Sequence, residues 1–176
     1  AGVRAEGNWI TSQAHSVIEE NELIYWTRTG KEVPQNGILN LEINKLIAYN
    51  EMGEYGAIAG QLGTLIQNEG LKTAAYGNMD VGEDKRRPHV LIAMDEWGRV
   101  NQGNISQDIL IKDATYPGGI RTNFEKIYHY LTDNTNSSAL TVIETGDISR
   151  LEEEKDNLSS QMYEKHKGDT LEEFDL

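Results

Sequence analysis

The chain of 176 residues contains no cysteine, which excludes structural disulfides, thiolate catalysis and cysteine-ligated zinc. It has no apolar run approaching the roughly 20 residues of a membrane span, and no secretory leader is visible. Basic side chains are scarce: 16 Lys and Arg stand against 29 Asp and Glu, a formal charge of -13. Such a charge repels phosphodiester backbones and anionic lipid, so neither nucleic acid nor direct membrane contact is expected. A cation or a basic partner suits it better. His15, His89, His129 and His166 lie far apart with no metal-ligand spacing, so a histidine site would have to be assembled by the fold. The glycines of "AGVRAEG" and "AGQLGTL" lack the Lys-Ser or Lys-Thr that completes a phosphate loop. There is no Gly-x-Ser-x-Gly elbow, no internal repeat and no low-complexity tract.

The length fits one domain with a proper core and is short for two. The spacing of Leu39, Ile43, Leu46 and Ile47 predicts an amphipathic helix over 39–50, and Ile58, Leu62, Leu65 and Ile66 predict another over 57–69. Gly60 and Gly63 would let the second pack closely on a sheet, and Gly70 is its natural stop. "LKTAAYG" reads as a buried strand. "PHVLIAMD" reads as a strand that turns at Gly98 into the extended "RVNQGNI". Thr122 and Glu125 form a capping box for a helix carrying Phe124, Ile127, Tyr128 and Leu131. "ALTVIETGD" reads as another strand, and a second capping box, Ser149 to Glu152, starts a helix with Ile148, Leu151, Leu158 and Met162 at heptad-like spacing. The order predicts an α/β fold, a mostly parallel sheet with flanking helices and one hairpin. Within a single domain over 1–176, residues 36–146 form the core and 147–176 an acidic C-terminal helix. Residues 144–176 hold eleven acidic and four basic side chains, a net of -7. Residues 1–35 are irregular or helical, with "SQAHSVIEEN" reading as helix and "ELIYWTR" as extended before Pro34 and Gly37 break the pattern.

In open α/β sheets ligands sit beyond the carboxyl ends of the strands. Three expected strands end there in polar residues: Asn78 and Asp80, Asp95 and Glu96, Glu144 and Asp147. Converging on one rim, these carboxylates could hold a hard cation or position a hydroxyl nucleophile. The competing explanation is local: Asn78 and Asp80 in an Asx-turn, Asp95 starting the hairpin turn, Asp147 capping a helix. The cluster "EDKRRPH" could grip an anion through Lys85, Arg86 and Arg87, or be a solvated loop balanced by Glu83 and Asp84. Asn104, Asn136 and Asn157 each begin an Asn-x-Ser pattern.

Taken in order, "AGVRAEG", "AAYGNMD", "LIAMDEWGRV", "GGIRTNFEKI" and "VIETGDISRLE" resemble the middle of a family of largely uncharacterised bacterial proteins, exported or membrane-anchored, within the alkaline phosphatase and phosphoglycerate mutase superfamily. The resemblance covers most of residues 1–160. It implies an alkaline phosphatase-like core and a nucleophilic hydroxyl just before Ala1, with Arg4 beside it and in reach of a phosphoryl oxygen. It places Asn78 and Asp80 on a Gly-Asn-x-Asp motif, and Asp147 and Arg150 on a Gly-Asp-x-Ser-Arg motif. Enzymes of the superfamily bind two metal ions through Asp and His of an early strand and of late segments that this stretch does not include, so a divalent metal such as Zn or Mn is implied for the parent. Within the chain, their place at the strand ends makes Asp80 and Asp147 the candidate metal ligands, with Arg4, Asn78, Asp95 and Arg150 as further site candidates.

The chain lacks an initiator Met and stops inside the helical pattern "TLEEFDL". The expectation is a piece of a larger extracytoplasmic protein, inactive alone, that packs against the remaining segments of its parent or, through exposed apolar surface, forms a homodimer. The alternative is a non-catalytic interaction module that docks a partner through the acidic C-terminal helix.

Overall fold

A computed structural model describes residues 14–52, 57–133 and 137–173. The element order is β1 (Ala14–Ser16), α1 (Glu19–Thr29), β2 (Ile38–Asn40), α2 (Ile43–Glu51), α3 (Gln61–Asn68), β3 (Thr73–Gly77), α4 (Val90–Ala93), β4 (Arg99–Val100) and β5 (Gln102–Asn104). There follow β6 (Leu110–Lys112), β7 (Ile120–Thr122), α5 (Phe124–Thr132), β8 (Leu140–Glu144), α6 (Asp147–Glu153) and α7 (Ser160–Glu172). The fold is α/β. No described helix is long and apolar enough to cross a membrane.

β3 is the centre of the molecule. All five residues of its "TAAYG" are buried, and it pairs in parallel with β5 on one side and β8 on the other. A strand covered on both faces and both edges reads as an unbroken run of small and apolar residues, as this one does. Its side chains alternate between two cores. Ala75 joins Tyr25, Ile38, Leu39, Ile43, Leu46, Val90, Met94, Val100 and Ile105, whereas Ala74 and Tyr76 face Ile109 and Ile127 on the other side. Each fully buried Leu or Ile contributes about 1.5–3 kcal/mol. Tyr76 also stacks on Tyr130 of α5, ring centroids 5.1 Å apart.

Among the described residues, parallel pairing is confined to these three strands. β1, β2 and β4 form an antiparallel sheet, and β6 with β7 an antiparallel pair, so the sheets are mixed where a mostly parallel one was expected. The segment from Arg99 to Asn104 belongs to both three-stranded sheets: β4 pairs with β2, and two residues on β5 pairs with β3.

Several local expectations are corrected. Residues 14–16 are a strand and 19–29 a helix, the reverse of the reading above. The aromatic and β-branched run "LIYWT" favours a strand by propensity, but burying Tyr25 and stopping at left-handed Gly30, whose N–H reaches Trp26 O, settles the helix. "VLIA" is a four-residue helix, α4, and not a strand. The hairpin around Gly98 therefore does not form; Asp95–Gly98 is a turn leading into β4. Gly60 and Gly63 pack on backbone at Met94 and Asp95, not on a sheet: a Cβ there would lie 2.1 Å from Asp95 O and 2.2 Å from Met94 O. The cap of α5 is Asn123, one residue after Thr122, and its side chain accepts from Lys126 N. The single C-terminal helix is two, α6 and α7, parted around Leu158, with Ser159 capping the second.

Candidate functional site

The parallel register sets Gly77 opposite Glu144, so the segments that follow β3 and β8 leave the carboxyl edge side by side. Two glycines permit that approach. Gly77 has φ 89° and a Cβ there would fall 1.9 Å from Glu144 O. Gly146, φ 67°, would bring one within 2.6 Å of Asn78 O and 2.8 Å of the Arg150 guanidinium.

The buried amide of Asn78 is fully used. Its Nδ2 donates to Ile105 O and Ser106 O, each at 3.1 Å, and its Oδ1 accepts from Asp80 N at 3.1 Å, the expected Asx-turn. Asp80, with no exposed surface, accepts through Oδ1 from Arg86 N (2.9 Å) and Arg87 Nε (3.2 Å), and through Oδ2 from Arg87 (2.8 Å) and Gln107 (3.1 Å). A buried carboxylate is tolerated only when paired and hydrogen-bonded in this way. Arg87 also donates to Ala14 O at 2.5 Å, tying β1 to the loop after β3. Of the "EDKRRPH" cluster, Glu83, Asp84 and Lys85 are exposed and Arg86 pairs with Asp84 and Glu153, as in a solvated loop, whereas Arg87 and His89 are buried.

Asp147 is the first residue of α6, not its cap, which is Gly146. Its Oδ1 accepts from Thr122 N at 2.9 Å and from Arg150 at 2.8 Å. Arg150, 2% exposed, donates from one amino group to Asn78 O (3.2 Å) and Asp80 O (3.3 Å), and from the other to Thr145 O (2.6 Å), Thr122 Oγ1 (3.3 Å) and Asp147. Asn78, Asp80, Asp147 and Arg150 are thus brought together. Glu144 lies at the same edge, its carboxyl pushed above the ordinary range by burial, with Gly146 N–H and Arg150 opposing the rise.

Asp95 is not part of this group. Its Oδ1 accepts from Trp97 N and Arg99 N, and its Oδ2 from Arg99, so it serves the turn before β4. Arg4 and Asn136 lie outside the described residues. A cleft of about 440 Å³ lined by Asn44, Ile47, Glu51, Ile58, Glu96 and Trp97 shares none of the rim residues.

Two histidines missed as site neighbours sit close to the Asp80–Arg87 pair. Burial lowers His89 from its ordinary 6.5 to about 4, Arg87 adding to the fall and Asp80 opposing it. His15 falls to about 4 as well, through burial first and then Lys85 and Arg87, again against Asp80. Both ring nitrogens of His89 are buried without a hydrogen-bond partner among the described residues. Between pH 6.5 and 4 the unfolded chain binds protons that the folded chain refuses. Stability contributed by neutral His89 is therefore complete above about pH 6.5 and drains away as the pH falls toward 4. The loss is on the order of 3 kcal/mol, and urea midpoints measured across that range should fall less steeply for His89→Leu than for the wild type.

The Zn or Mn ion implied for the parent can be tested against these oxygens. Both oxygens of Asp80 are taken by donors, and Asp147 Oδ1 is taken by Thr122 and Arg150, while Asp147 Oδ2 is buried with no hydrogen-bond partner among the described residues. Among the described residues no three His, Asp or Glu side chains are placed to hold a metal ion. Asp80 therefore does not fit the role of a divalent ligand, and Asp147 offers one free oxygen with no further ligands grouped around it; the counter-ions of the two are Arg87 and Arg150. The sequence signal for this was weak, because Asp80 and Arg87 are seven residues apart across an irregular loop, while Asp147 and Arg150 are one helical turn apart and could have been paired on spacing alone. No family model, curated protein or solved structure matches the chain.

Proposed function

We propose that this chain is the central α/β portion of an alkaline phosphatase superfamily-like protein and forms one wall of a phosphoryl or sulfuryl transfer site, inactive on its own. The observation that carries the reading is the parallel β3–β8 register, which sets two polar loops side by side at the carboxyl edge, where α/β sheets hold their ligands. The ordered run of motifs from "AGVRAEG" to "VIETGDISRLE" supports the same parentage.

Phosphoryl transfer needs a hydroxyl in line with the reacting group and fixed positive or hydrogen-bonding groups around its oxygens. Asn78, Asp147 and Arg150 supply order to the loops, since the Asn78 amide, Asp147 Oδ1 and both Arg150 amino groups are engaged with the protein itself. Arg4 is the cation that the family resemblance sets beside the nucleophile. A divalent ion, where the parent uses one, takes its ligands from residues other than Asp80 and Asp147. On this reading the parent acts outside the cytoplasm, anchored or secreted, and the rest of its chain is this segment's main partner.

The alternative, an interaction module built on the acidic C-terminal helix, loses its continuous stripe because α6 and α7 part around Leu158. Release of p-nitrophenol from its phosphate and sulfate esters tests the proposal. The 176-residue chain should show none above the blank with Zn²⁺ or Mn²⁺, whereas the complete parent should turn one of them over and lose about 10- to 100-fold in kcat/KM on Arg4→Ala. Turnover by the 176 residues alone, or an inert parent, would contradict it.

A further inference from the structure

Five oxygen atoms meet one guanidinium at the rim: Asn78 O, Asp80 O, Thr145 O, Thr122 Oγ1 and Asp147 Oδ1, all 2.6–3.3 Å from the Arg150 amino groups. Carbonyl, hydroxyl and carboxylate oxygens converging on a point are what a hard cation requires. Here the point is filled by the chain itself. We infer that Arg150 is the resident cation of this rim, a positioning residue that gathers the loop after β3, the end of β7 and the loop after β8, so that the rim neither needs nor takes a divalent metal.

Charge balance supports the inference. Asp147 and Arg150 are 1% and 2% exposed and neutralise each other, and Asp80 is neutralised by Arg87. A divalent ion added here would find one unpartnered carboxylate oxygen, Asp147 Oδ2, on a group already neutralised by Arg150, and so would bring uncompensated positive charge into a buried site, which is costly. Shape supports it too. The planar fork of a guanidinium presents separate amino groups to separate acceptors; one serves the β3 side and the other serves Thr122, Thr145 and Asp147. An ammonium is a single point charge and cannot serve both. Gly146 belongs to the same arrangement, since a Cβ there would press on the guanidinium. With both amino groups engaged and 2% of the residue exposed, Arg150 is not placed to grip the oxygens of a substrate.

The inference concerns the rim whatever reaction the parent performs, and it is read by melting, whereas the transfer reaction is read by turnover, so either can fail alone. The test is thermal unfolding of the 176-residue chain with millimolar Zn²⁺, Mn²⁺, Mg²⁺ or Ca²⁺, for the wild type, Arg150→Lys and Arg150→Ala. A cation bound only by the folded state must raise the melting temperature. The wild type should not shift beyond measurement error with any of the four. Arg150→Ala should melt roughly 10 °C lower, Arg150→Lys should recover less than half of that loss, and millimolar methylguanidinium should raise the melting temperature of Arg150→Ala but not of the wild type. A saturable rise of the wild type with one of the metals, lost in Asp147→Asn, would overturn the inference. So would full recovery by Arg150→Lys, which would make charge alone sufficient. Should Arg150→Ala fail to fold, the wild-type metal series and Arg150→Lys still decide the matter.

Discussion

Arg150→Met is expected to lower the unfolding free energy by about 3–5 kcal/mol, the cost of leaving a buried charge without its partner. Methionine keeps much of the volume, so the loss would be electrostatic in origin and not a cavity effect. With the guanidinium gone, Asp147 Oδ1 keeps only Thr122 N, Thr145 O keeps only the Thr122 hydroxyl, and Asn78 O and Asp80 O lose the amino group they share. Each buried acceptor left unsatisfied adds about 1–3 kcal/mol before relaxation, so the upper part of the range applies if the loops cannot move apart. Urea unfolding is the measurement, and the midpoint should fall with an unchanged slope if the denatured state is unaffected. Arg86 offers the contrast: its partners Asp84 and Glu153 are solvent-accessible, so removing it should cost under about 1 kcal/mol.

The second large effect is expected at Gly77. Alanine there places Cβ 1.9 Å from Glu144 O, in a backbone conformation, φ 89°, that L side chains avoid. The obstacle is backbone of the paired strand, which cannot rotate out of the way. Either the carboxyl ends of β3 and β8 separate or the φ angle is rebuilt, and Asn78 moves in both cases. A loss of about 3 kcal/mol or more follows from strain and overpacking together. Gly82→Ala is the control: its φ is 57° but nothing lies within 4 Å of the added Cβ, so only the conformational cost of about 1 kcal/mol remains. Hydrogen exchange at the amides of residues 76–80 should accelerate for Gly77→Ala and stay near wild type for Gly82→Ala.

The parts of this molecule legible in the sequence are those whose local chemistry and tertiary role agree. "TAAYG" has one small apolar character throughout because both its faces are covered, and the polar residues behind it mark the sheet edge as expected. Asn78 forms the Asx-turn its position suggests, and Asp95 opens a turn, though one that follows a helix and not a hairpin strand. α2, α3 and α5 form near where the apolar spacing puts them, but Leu39 belongs to β2, and Ile58, Leu62 and Leu65 of the second stripe and Tyr128 and Leu131 of the third are exposed.

Where local and tertiary demands conflict, the sequence misleads. "LIYWT" looks extended, but the core takes Tyr25 from a helix; "VLIA" has the composition of a strand, yet it is only one turn long, and short apolar runs carry no decisive period. The sequence leaves open whether the strand-end carboxylates take a cation or serve turns and caps, because nothing local shows that Arg87, seven residues on, folds back over Asp80. Arg150 is a different case. It lies one turn after Asp147, but that spacing cannot reveal that its other amino group reaches Asn78 O and Asp80 O across the β3–β8 pair.

The measurement that bears most directly on the arginine-locked rim is a double-mutant cycle between Asp147→Asn and Arg150→Met, read by urea unfolding. Two buried partners that neutralise each other should be coupled, the double variant being at least about 2 kcal/mol more stable than the sum of the single losses implies. Losses that add within about 0.5 kcal/mol would mean that the two side chains act independently, and the rim would not be held by their pairing.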